Sequence, residues 1–104
     1  MTDLSLPVVF TATARRQVER AQVWWEENRP AAPDAILNEL RVALQLVTSQ
    51  PSCGATVAGT RFRGVRRIFL RRVDYFLYYR VAPRRKQLEV LAFWHARRGT
   101  GPAV

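Results

Sequence analysis

The apolar residues of this chain recur at a helical spacing in its first half and in β-prone runs in its second half, and this change of period limits the possible folds. Steps of four, three, four and three residues predict a helix over about residues 12–28, with one face formed by Ala14, Val18, Ala21, Trp25 and Asn28. A second helix is predicted from Pro33 and Asp34 to Gln50, with an apolar stripe of Ile36, Leu37, Leu40, Ala43, Leu44 and Val47. Pro33 suits the first turn of that helix. The prolines between the stripes end the first helix, so the two helices should pack as an antiparallel hairpin.

Three β-prone runs follow the helices, and a shorter run precedes them. The short run, residues 7–10, ends at Thr11, which is a favourable N-cap for the first helix. The later strands are expected at about residues 65–70, 75–81 and 88–94, with connections short enough for hairpin turns. The order β–α–α–β–β–β keeps helices and strands apart, which is typical of an α+β fold. We therefore expect one domain over residues 1–104, with a helical hairpin on one face of a mainly antiparallel sheet and a frayed tail at residues 99–102.

The aromatic residues of the predicted strands fall on two faces. One set of side chains is expected to cover the helices and form the core: Phe69, Leu77, Tyr79, Leu91 and Phe93. Tyr78 and Arg80 share the opposite face of their strand, because alternate residues of a strand point the same way. Together with Arg66 and Arg67 they predict a surface that binds phosphate and stacks bases.

Trp24 and Trp25 are neighbours within the first predicted helix. Adjacent positions on a helix do not face the same side, so both rings cannot be fully buried. One tryptophan is therefore expected at the rim of the domain, where a segment of a partner protein could cover it.

Basic residues are concentrated in the strand-forming part of the chain. Residues 1–60 carry five Arg against six acids, whereas residues 61–104 carry twelve Arg or Lys against Asp74 and Glu89. The formal net charge of +9 therefore belongs to the second part. A solubilising surface usually mixes both signs, so this imbalance favours a nucleic acid or an acidic protein as the partner.

The residue content argues against several kinds of site. The single cysteine, Cys53, allows neither an intrachain disulfide nor a cysteine-based zinc cluster. One histidine with scattered acids does not suggest a metal site, and the sequence has no glycine-rich phosphate loop, so we expect no metal and no cofactor. The sequence also shows no secretory signal and no run of about 18 apolar residues. These observations predict a cytoplasmic protein without membrane contact.

His95 is the only histidine, and it ends the last predicted strand. No serine or cysteine nucleophile accompanies it, which argues against a triad hydrolase. With Arg97, Arg98 and the tyrosines of the adjoining strand, His95 could act on RNA. In such a reaction a 2′-OH attacks, arginines stabilise the phosphorane charge, and a His or Tyr protonates the leaving oxygen. The residues leave open the alternative that His95 caps the strand by hydrogen bonding while both arginines are solvated.

In their order along the chain, these motifs resemble the RelE/ParE family of bacterial toxins. The second half is similar through Tyr75-x-x-x-Tyr79-Arg80-Val81 followed by His95-x-Arg97-Arg98. The first half is similar through Phe10-Thr11-x-x-Ala14, Asn28-Arg29-Pro30 and Pro51-x-x-Gly54. The resemblance covers about residues 8–99, and its specificity lies in the order and spacing of the pieces.

The resemblance implies the toxin of a type II toxin–antitoxin system, held inactive in a hetero-oligomer with its cognate antitoxin. ParE-like members of the family act on DNA gyrase and have no accepted nuclease site. RelE-like members cleave mRNA on the ribosome and commonly carry a catalytic tyrosine close to the C-terminus. Here no tyrosine follows Tyr79, so the resemblance is closer to the ParE-like side. His95, Arg97 and Arg98 match the shared motif and are the candidate catalytic residues.

Three functions remain open on these grounds. The chain could be a toxin that binds a protein such as gyrase, a ribosome-dependent mRNA endonuclease that uses His95, or a non-toxic basic RNA-binding module. The basic strands suit all three, the missing late tyrosine counts against the endonuclease, and the rim tryptophan counts against the third. We expect an acidic antitoxin, partly disordered alone, that folds over the helices and covers Trp24 and Trp25.

Overall fold

The computed structural model describes residues 6–104; residues 1–5, on which the expectation of no secretory signal partly rests, lie outside this range. The helices are α1 (Ala12–Asn28) and α2 (Ala35–Ser49), and the strands are β1 (Val8–Phe10), β2 (Ala55–Thr56), β3 (Arg66–Leu70), β4 (Tyr75–Ala82) and β5 (Gln87–His95). One turn of 3-10 helix spans Pro51–Cys53. Within residues 6–104, neither helix has the length and apolar character that crossing a bilayer requires.

The strands form one five-stranded sheet in the order β1–β5–β4–β3–β2. β1 runs parallel to β5, and every other neighbouring pair is antiparallel. Both helices pack on one face of this sheet through a common apolar cluster. The predicted α+β fold with a helical hairpin is therefore confirmed, and the two-residue strand β2 is an addition too short to leave a period in the sequence.

Helix α1 begins and ends as the sequence predicts. The hydroxyl of Thr11 accepts a hydrogen bond from the backbone N–H of Ala14 at 3.1 Å, which satisfies one of the free donors of the first turn. Ala14 and Ala21 are buried, as their spacing requires. Gln17 links the helix to the sheet, because its Oε1 accepts from the backbone N–H of Phe93 at 2.8 Å.

Helix α2 starts later than predicted. Pro33 lies in the turn before the helix rather than in its first turn, and Asp34 occupies the N-cap position without a side-chain capping bond. The prediction for Pro33 is wrong because this turn is held by a contact across the hairpin, in which Gln22 Nε2 donates to the Pro33 carbonyl at 3.1 Å. The apolar stripe itself is confirmed by burial of Ile36, Leu40, Ala43 and Val47.

Two strand residues lie on the opposite face of the sheet from the one that was predicted. In β5 the register shifts so that Tyr78 pairs with Ala92 while Tyr79 pairs with Val90, which leaves Leu91 as an extra, bulged residue. Leu91 therefore joins the second face of the sheet, although Phe93 faces the helices. Phe69 pairs with Phe76 rather than with Leu77, so it also lies away from the helices and is 44% exposed. The prediction that Phe69 and Leu91 belong to the helix-facing core is wrong.

The second face of the sheet is covered by the loop after β2 and by the C-terminal residues. The backbone N–H groups of Arg61 and Phe62 donate to the Val104 oxygen at 3.0 and 3.2 Å. Trp94 Nε1 donates to the Thr100 carbonyl at 2.6 Å, and Val104 is buried against Tyr78 and its neighbours. The expectation of a frayed tail is therefore wrong, because distant parts of the chain supply these partners.

The Pro51-x-x-Gly54 motif forms a corner that closes on Tyr79. The Tyr79 hydroxyl donates to the Pro51 carbonyl at 2.8 Å and accepts from the Gly54 N–H at 2.9 Å. A Cβ at Gly54 would stand 2.9 Å from the Arg67 carbonyl oxygen, which belongs to the neighbouring backbone. Glycine is required here by this close approach.

Tyr79→Phe should lower the free energy of unfolding by about 1–3 kcal/mol, because it leaves the Gly54 N–H without its buried partner. Tyr78→Phe is the matched control: it removes a hydroxyl that accepts from part-buried Arg67, and it should cost less because that guanidinium can bond to water instead. Urea unfolding of both variants measures the difference. Equal losses would contradict the assignment of the corner to Tyr79.

The same tyrosine should make stability depend on pH at the alkaline end. Burial raises the pKa of Tyr79 above its usual 10.0, and the hydrogen bond from Gly54 offsets only part of this. The folded state therefore favours the neutral phenol, and this contribution is fully present below pH 10.0 and is lost as the pH rises through the higher folded value. The stability advantage of the wild type over Tyr79→Phe should shrink in that range.

Candidate functional site

His95 ends β5 and lies beside the first residue of β4. It pairs in register with Tyr75, whose ring meets the imidazole edge-on at a centroid distance of 5.0 Å. On its other side Tyr75 stacks on the buried Phe93 at 4.5 Å, so the two rings form a rigid support for the imidazole. His95 Nδ1 accepts a hydrogen bond from the backbone N–H of Arg97 at 3.2 Å. A neutral imidazole bonded in this way carries its proton on Nε2.

The residues after His95 contact the connection between β3 and β4, and Asp74 makes these contacts. Its carbonyl accepts from the backbone N–H of Ala96 at 2.8 Å, and its carboxylate Oδ2 lies 2.8 Å from Arg97 Nε. Asp74 adopts a left-handed conformation (φ 65°), which aspartate tolerates better than most residues. Arg97 remains 83% exposed, so the ion pair adds little stability but orients a guanidinium that solvent reaches.

Arg98 is positioned by an aromatic ring rather than by a carboxylate. Its guanidinium carbon lies 4.0 Å from the centre of the Trp94 ring, a distance typical of a cation–π contact. Burial raises the pKa of Tyr75, and the positive charge of Arg98 offsets only part of this increase. Tyr75 is therefore a neutral phenol at physiological pH, able to donate a hydrogen bond but not to act as a base.

Two hollows flank this corner, and both are lined by Trp24, Tyr75 and His95. Their volumes are about 600 and 480 Å³. Among the residues that line them, Asp74 is the single carboxylate, against six arginines: Arg20, Arg29, Arg71, Arg72, Arg97 and Arg98. We call these two hollows and the corner between them the His95 surface. It concentrates positive charge around aromatic rings.

The two tryptophans separate as predicted, with one at the rim. Trp25 packs against the core and donates from Nε1 to the Ala32 carbonyl at 2.8 Å. Trp24 is 45% exposed and contributes to both hollows of the His95 surface. The sequence did not indicate that the exposed tryptophan and the His95 motif share one surface.

Tyr78 and Arg67 do not form the open base-stacking face that alternation predicted. Tyr78 is 4% exposed, since the loop after β2 and the C-terminal residues cover it. Arg67 Nη1 donates to the Tyr78 hydroxyl at 3.1 Å, and its guanidinium carbon lies 4.1 Å from the Phe76 ring centre. The prediction of a stacking role for Tyr78 is corrected, because a base could reach the ring only after the covering segments moved.

Arg80 and Arg66 also have structural partners. Arg80 Nε lies 2.8 Å from Glu89 Oε1, and both side chains are 18% exposed. Arg66 Nη1 donates to the carbonyls of Ser52 and Gly54 at 3.2 and 2.7 Å, which ties β3 to the preceding corner. The ion pair neutralises the charge of Arg80, and the two hydrogen bonds occupy Nη1 of Arg66. Both arginines of the predicted phosphate-binding face therefore already have partners within the chain.

The sequence interpretation grouped the tyrosines of the adjoining strand, Tyr75 among them, with His95, but it missed Asp74 as a member of the site. A signal was present, because residues 72–74 were read as a hairpin turn, and each antiparallel strand begins opposite the end of its neighbour. Counting the register from that turn to the end of β5 would have placed Asp74 near His95. Within residues 6–104, no group of three or more His, Cys, Asp or Glu side chains is arranged to hold a metal ion.

Comparisons with known proteins agree with the architecture. A family model described as "ParE toxin of type II toxin-antitoxin system, parDE" matches residues 8–99. Among solved structures, the chain is similar to one described as "Chromosomal ParDE TA system from P. aeruginosa", with a TM-score of 0.70 and 14% identity over 91% of this chain and 100% of that chain. At that identity the structural likeness shows a shared fold. No curated protein matches the sequence significantly.

Proposed function

We propose that this chain, which belongs to the ParE toxin family of type II toxin–antitoxin systems, inhibits growth by binding a protein target such as DNA gyrase. A cognate acidic antitoxin would neutralise it by forming a hetero-oligomer. Both partners would place its action in the cytoplasm. The surface proposed for the target is the His95 surface, in place of the basic strand face suggested by the sequence.

The observation that carries this proposal is that exposed guanidinium groups are held in place beside His95. Arg97 is 83% exposed, yet Asp74 orients it, and Arg98 is held over the ring of Trp94. Charges that are positioned before a partner arrives lose less side-chain entropy on binding. Charge complementarity also raises the rate of association and selects the partner. The arrangement is suited to recognition of an acidic protein surface.

The corner is less well suited to proton transfer. His95 uses Nδ1 to accept from the turn that follows it, which leaves Nε2 as the ring nitrogen that can donate. Tyr75, the tyrosine next to it, has a raised pKa and is therefore both a poor base and a poor acid near neutral pH. One observation favours the alternative of an mRNA endonuclease: Tyr75, His95 and two arginines do lie together.

His95→Gln separates these two functions. If the chain acts by binding, growth inhibition should fall less than about tenfold, whereas loss of an acid or base in a nuclease costs about 10²–10⁴ in rate. Tyr75→Phe is the matched second variant, since it keeps the ring that supports the imidazole and removes only the hydroxyl. The measurements are growth after induction, cleavage of cellular transcripts, and supercoiling by DNA gyrase. Transcript cleavage that disappears in His95→Gln would move the protein to the nuclease class.

A further inference from the structure

The outer side of α1 presents an exposed face of mixed charge with an apolar centre. Six exposed residues of this helix line one hollow: Arg16, Glu19, Arg20, Val23, Trp24 and Glu27. Four of them recur at steps of four, three and four residues and so form one straight row, which we call the α1 row: Arg16, Arg20, Val23 and Glu27. The row points away from the core, because the buried Ala14 and Ala21 lie on the opposite side of the helix. It is therefore open to a second molecule that approaches along α1.

The charged side chains of the α1 row have no ion-pair partner within their own molecule. Within residues 6–104 no salt bridge involves α1. Arg16 Nη2 donates to the Thr13 hydroxyl at 3.4 Å, which is long for a hydrogen bond. The two arginines that line the hollow are balanced by two glutamates, so this face is neutral in a chain of net charge +9. Two copies of a basic chain repel each other least where such a neutral face meets its equal.

We propose that the α1 row is the interface of a homodimer, in which α1 packs against α1 of a second copy in the antiparallel direction. The row has a basic end at Arg16, an apolar residue at Val23 and an acidic end at Glu27, so it is complementary to its own reverse. A twofold axis midway along the row sets Arg16 of each copy opposite Glu27 of the other. The same axis sets Arg20 opposite Val23, where the aliphatic part of the arginine packs on the valine. The inference does not depend on the proposed function.

The composition of the face favours a second copy over a nucleic acid. Glu19 and Glu27 would repel a phosphate backbone, whereas each glutamate of a second copy approaches a basic part of the row. Val23 is 53% exposed and Trp24 is 45% exposed, and a dimer would cover both of these large apolar side chains. One pair of helices buries a small area, so the dimer should be weak and reversible, with a Kd in the micromolar range.

The test uses two charge reversals, separately and mixed. In Arg16→Glu both symmetric contacts become carboxylate against carboxylate, and in Glu27→Arg they become guanidinium against guanidinium. When the two variants are mixed, both contacts between unlike chains again join opposite charges. Arg15→Glu is the control, because it makes the same charge change at an exposed neighbour that does not line the hollow. Neither reversal opposes the dipole of α1, so the helix should remain folded, and circular dichroism verifies this.

Sedimentation velocity of the full chain at low salt, from about 1 to 200 μM, measures the Kd of the dimer. The wild type and Arg15→Glu should dimerise equally, and each single reversal should weaken the dimer about tenfold or more, because like charges then face each other twice. The equimolar mixture should return to within about threefold of the wild type. Added salt should weaken the wild-type dimer, since its ion pairs are exposed.

Three results would overturn the inference, and none of them depends on toxicity. A wild-type chain that stays monomeric over the whole range would assign the α1 row to a different partner. A dimer that neither Arg16→Glu nor Glu27→Arg weakens would have its interface elsewhere. A mixture that remains as weak as the single variants would show that the two charges do not face each other.

Discussion

Phe93→Ala is expected to lower the free energy of unfolding by about 3–5 kcal/mol, a large share of the stability of a domain of this size. Phe93 is 2% exposed and stacks on Tyr75 at 4.5 Å, so its loss leaves a cavity beneath the ring that supports His95. The backbone bond to Gln17 is retained by alanine, and the loss should therefore report on packing. Urea denaturation measures it directly.

Phe69→Ala is the matched control, because it removes the same atoms from the same sheet. Phe69 is 44% exposed on the second face, where its ring lies 5.2 Å from that of Phe76. Because the Phe69 ring is already partly exposed in the folded state, the substitution loses only part of the transfer free energy of a buried phenylalanine. The expected loss is about 1 kcal/mol. Losses of similar size for Phe69→Ala and Phe93→Ala would mean that both rings face the helices, contrary to the register of β3 and β4.

Reversing the charge of Arg97 and Arg98 together should abolish growth inhibition. The two guanidinium groups are the exposed charges that the proposed target surface presents beside His95, and like charges facing each other across an interface cost several kcal/mol. The effect should far exceed that of His95→Gln, which reverses no charge. Colony formation after induction measures it, with gyrase binding in vitro as the second readout.

The control for this prediction is the double reversal of Arg84 and Arg85. These residues occupy the turn between β4 and β5, at the opposite end of the strands from His95, so net charge changes equally while the proposed surface is untouched. Arg97→Glu would also place a second carboxylate beside Asp74, where the two negative charges repel each other. The double variant Arg97→Gln with Arg98→Gln avoids this repulsion and serves as a milder test. Equal loss of toxicity in both double reversals would show that net charge matters rather than the His95 surface.

The local elements were predictable from the sequence because their causes lie within a few residues. Helix α1 depends on Thr11 as a cap and on apolar residues at steps of three and four, all within one short segment. The strands β4 and β5 follow from aromatic and branched residues, and the short turn at residues 71–74 joins β3 to β4. The family resemblance had the same basis, namely motifs in a fixed order, and the match over residues 8–99 confirms it.

The site was predictable in part. His95, Arg97 and Arg98 were identified because they form a compact motif, and the rim position of one tryptophan followed from helix geometry. Tyr75 was named as one of the tyrosines of the adjoining strand, but Asp74 was not identified, since it acts through contacts with Ala96 and Arg97 from a distant part of the chain. Trp94 was not identified as the ring that holds Arg98. The roles of all these residues in binding remain predictions, which the variants above test.

The sequence by itself determined the order and approximate positions of both helices and of β1, β3, β4 and β5, the α+β class and the position of the basic charge. The tertiary structure alone decided which side of the sheet each side chain occupies. The bulge at Leu91, the burial of Tyr78 and the ion pair between Arg80 and Glu89 all depend on register and on segments far apart in the chain. A single shift of register moves a side chain to the other face, and a local pattern contains no information about that shift. Trp24 and His95 line the same hollows for the same reason, because the packing of α1 against β5 places them on one surface.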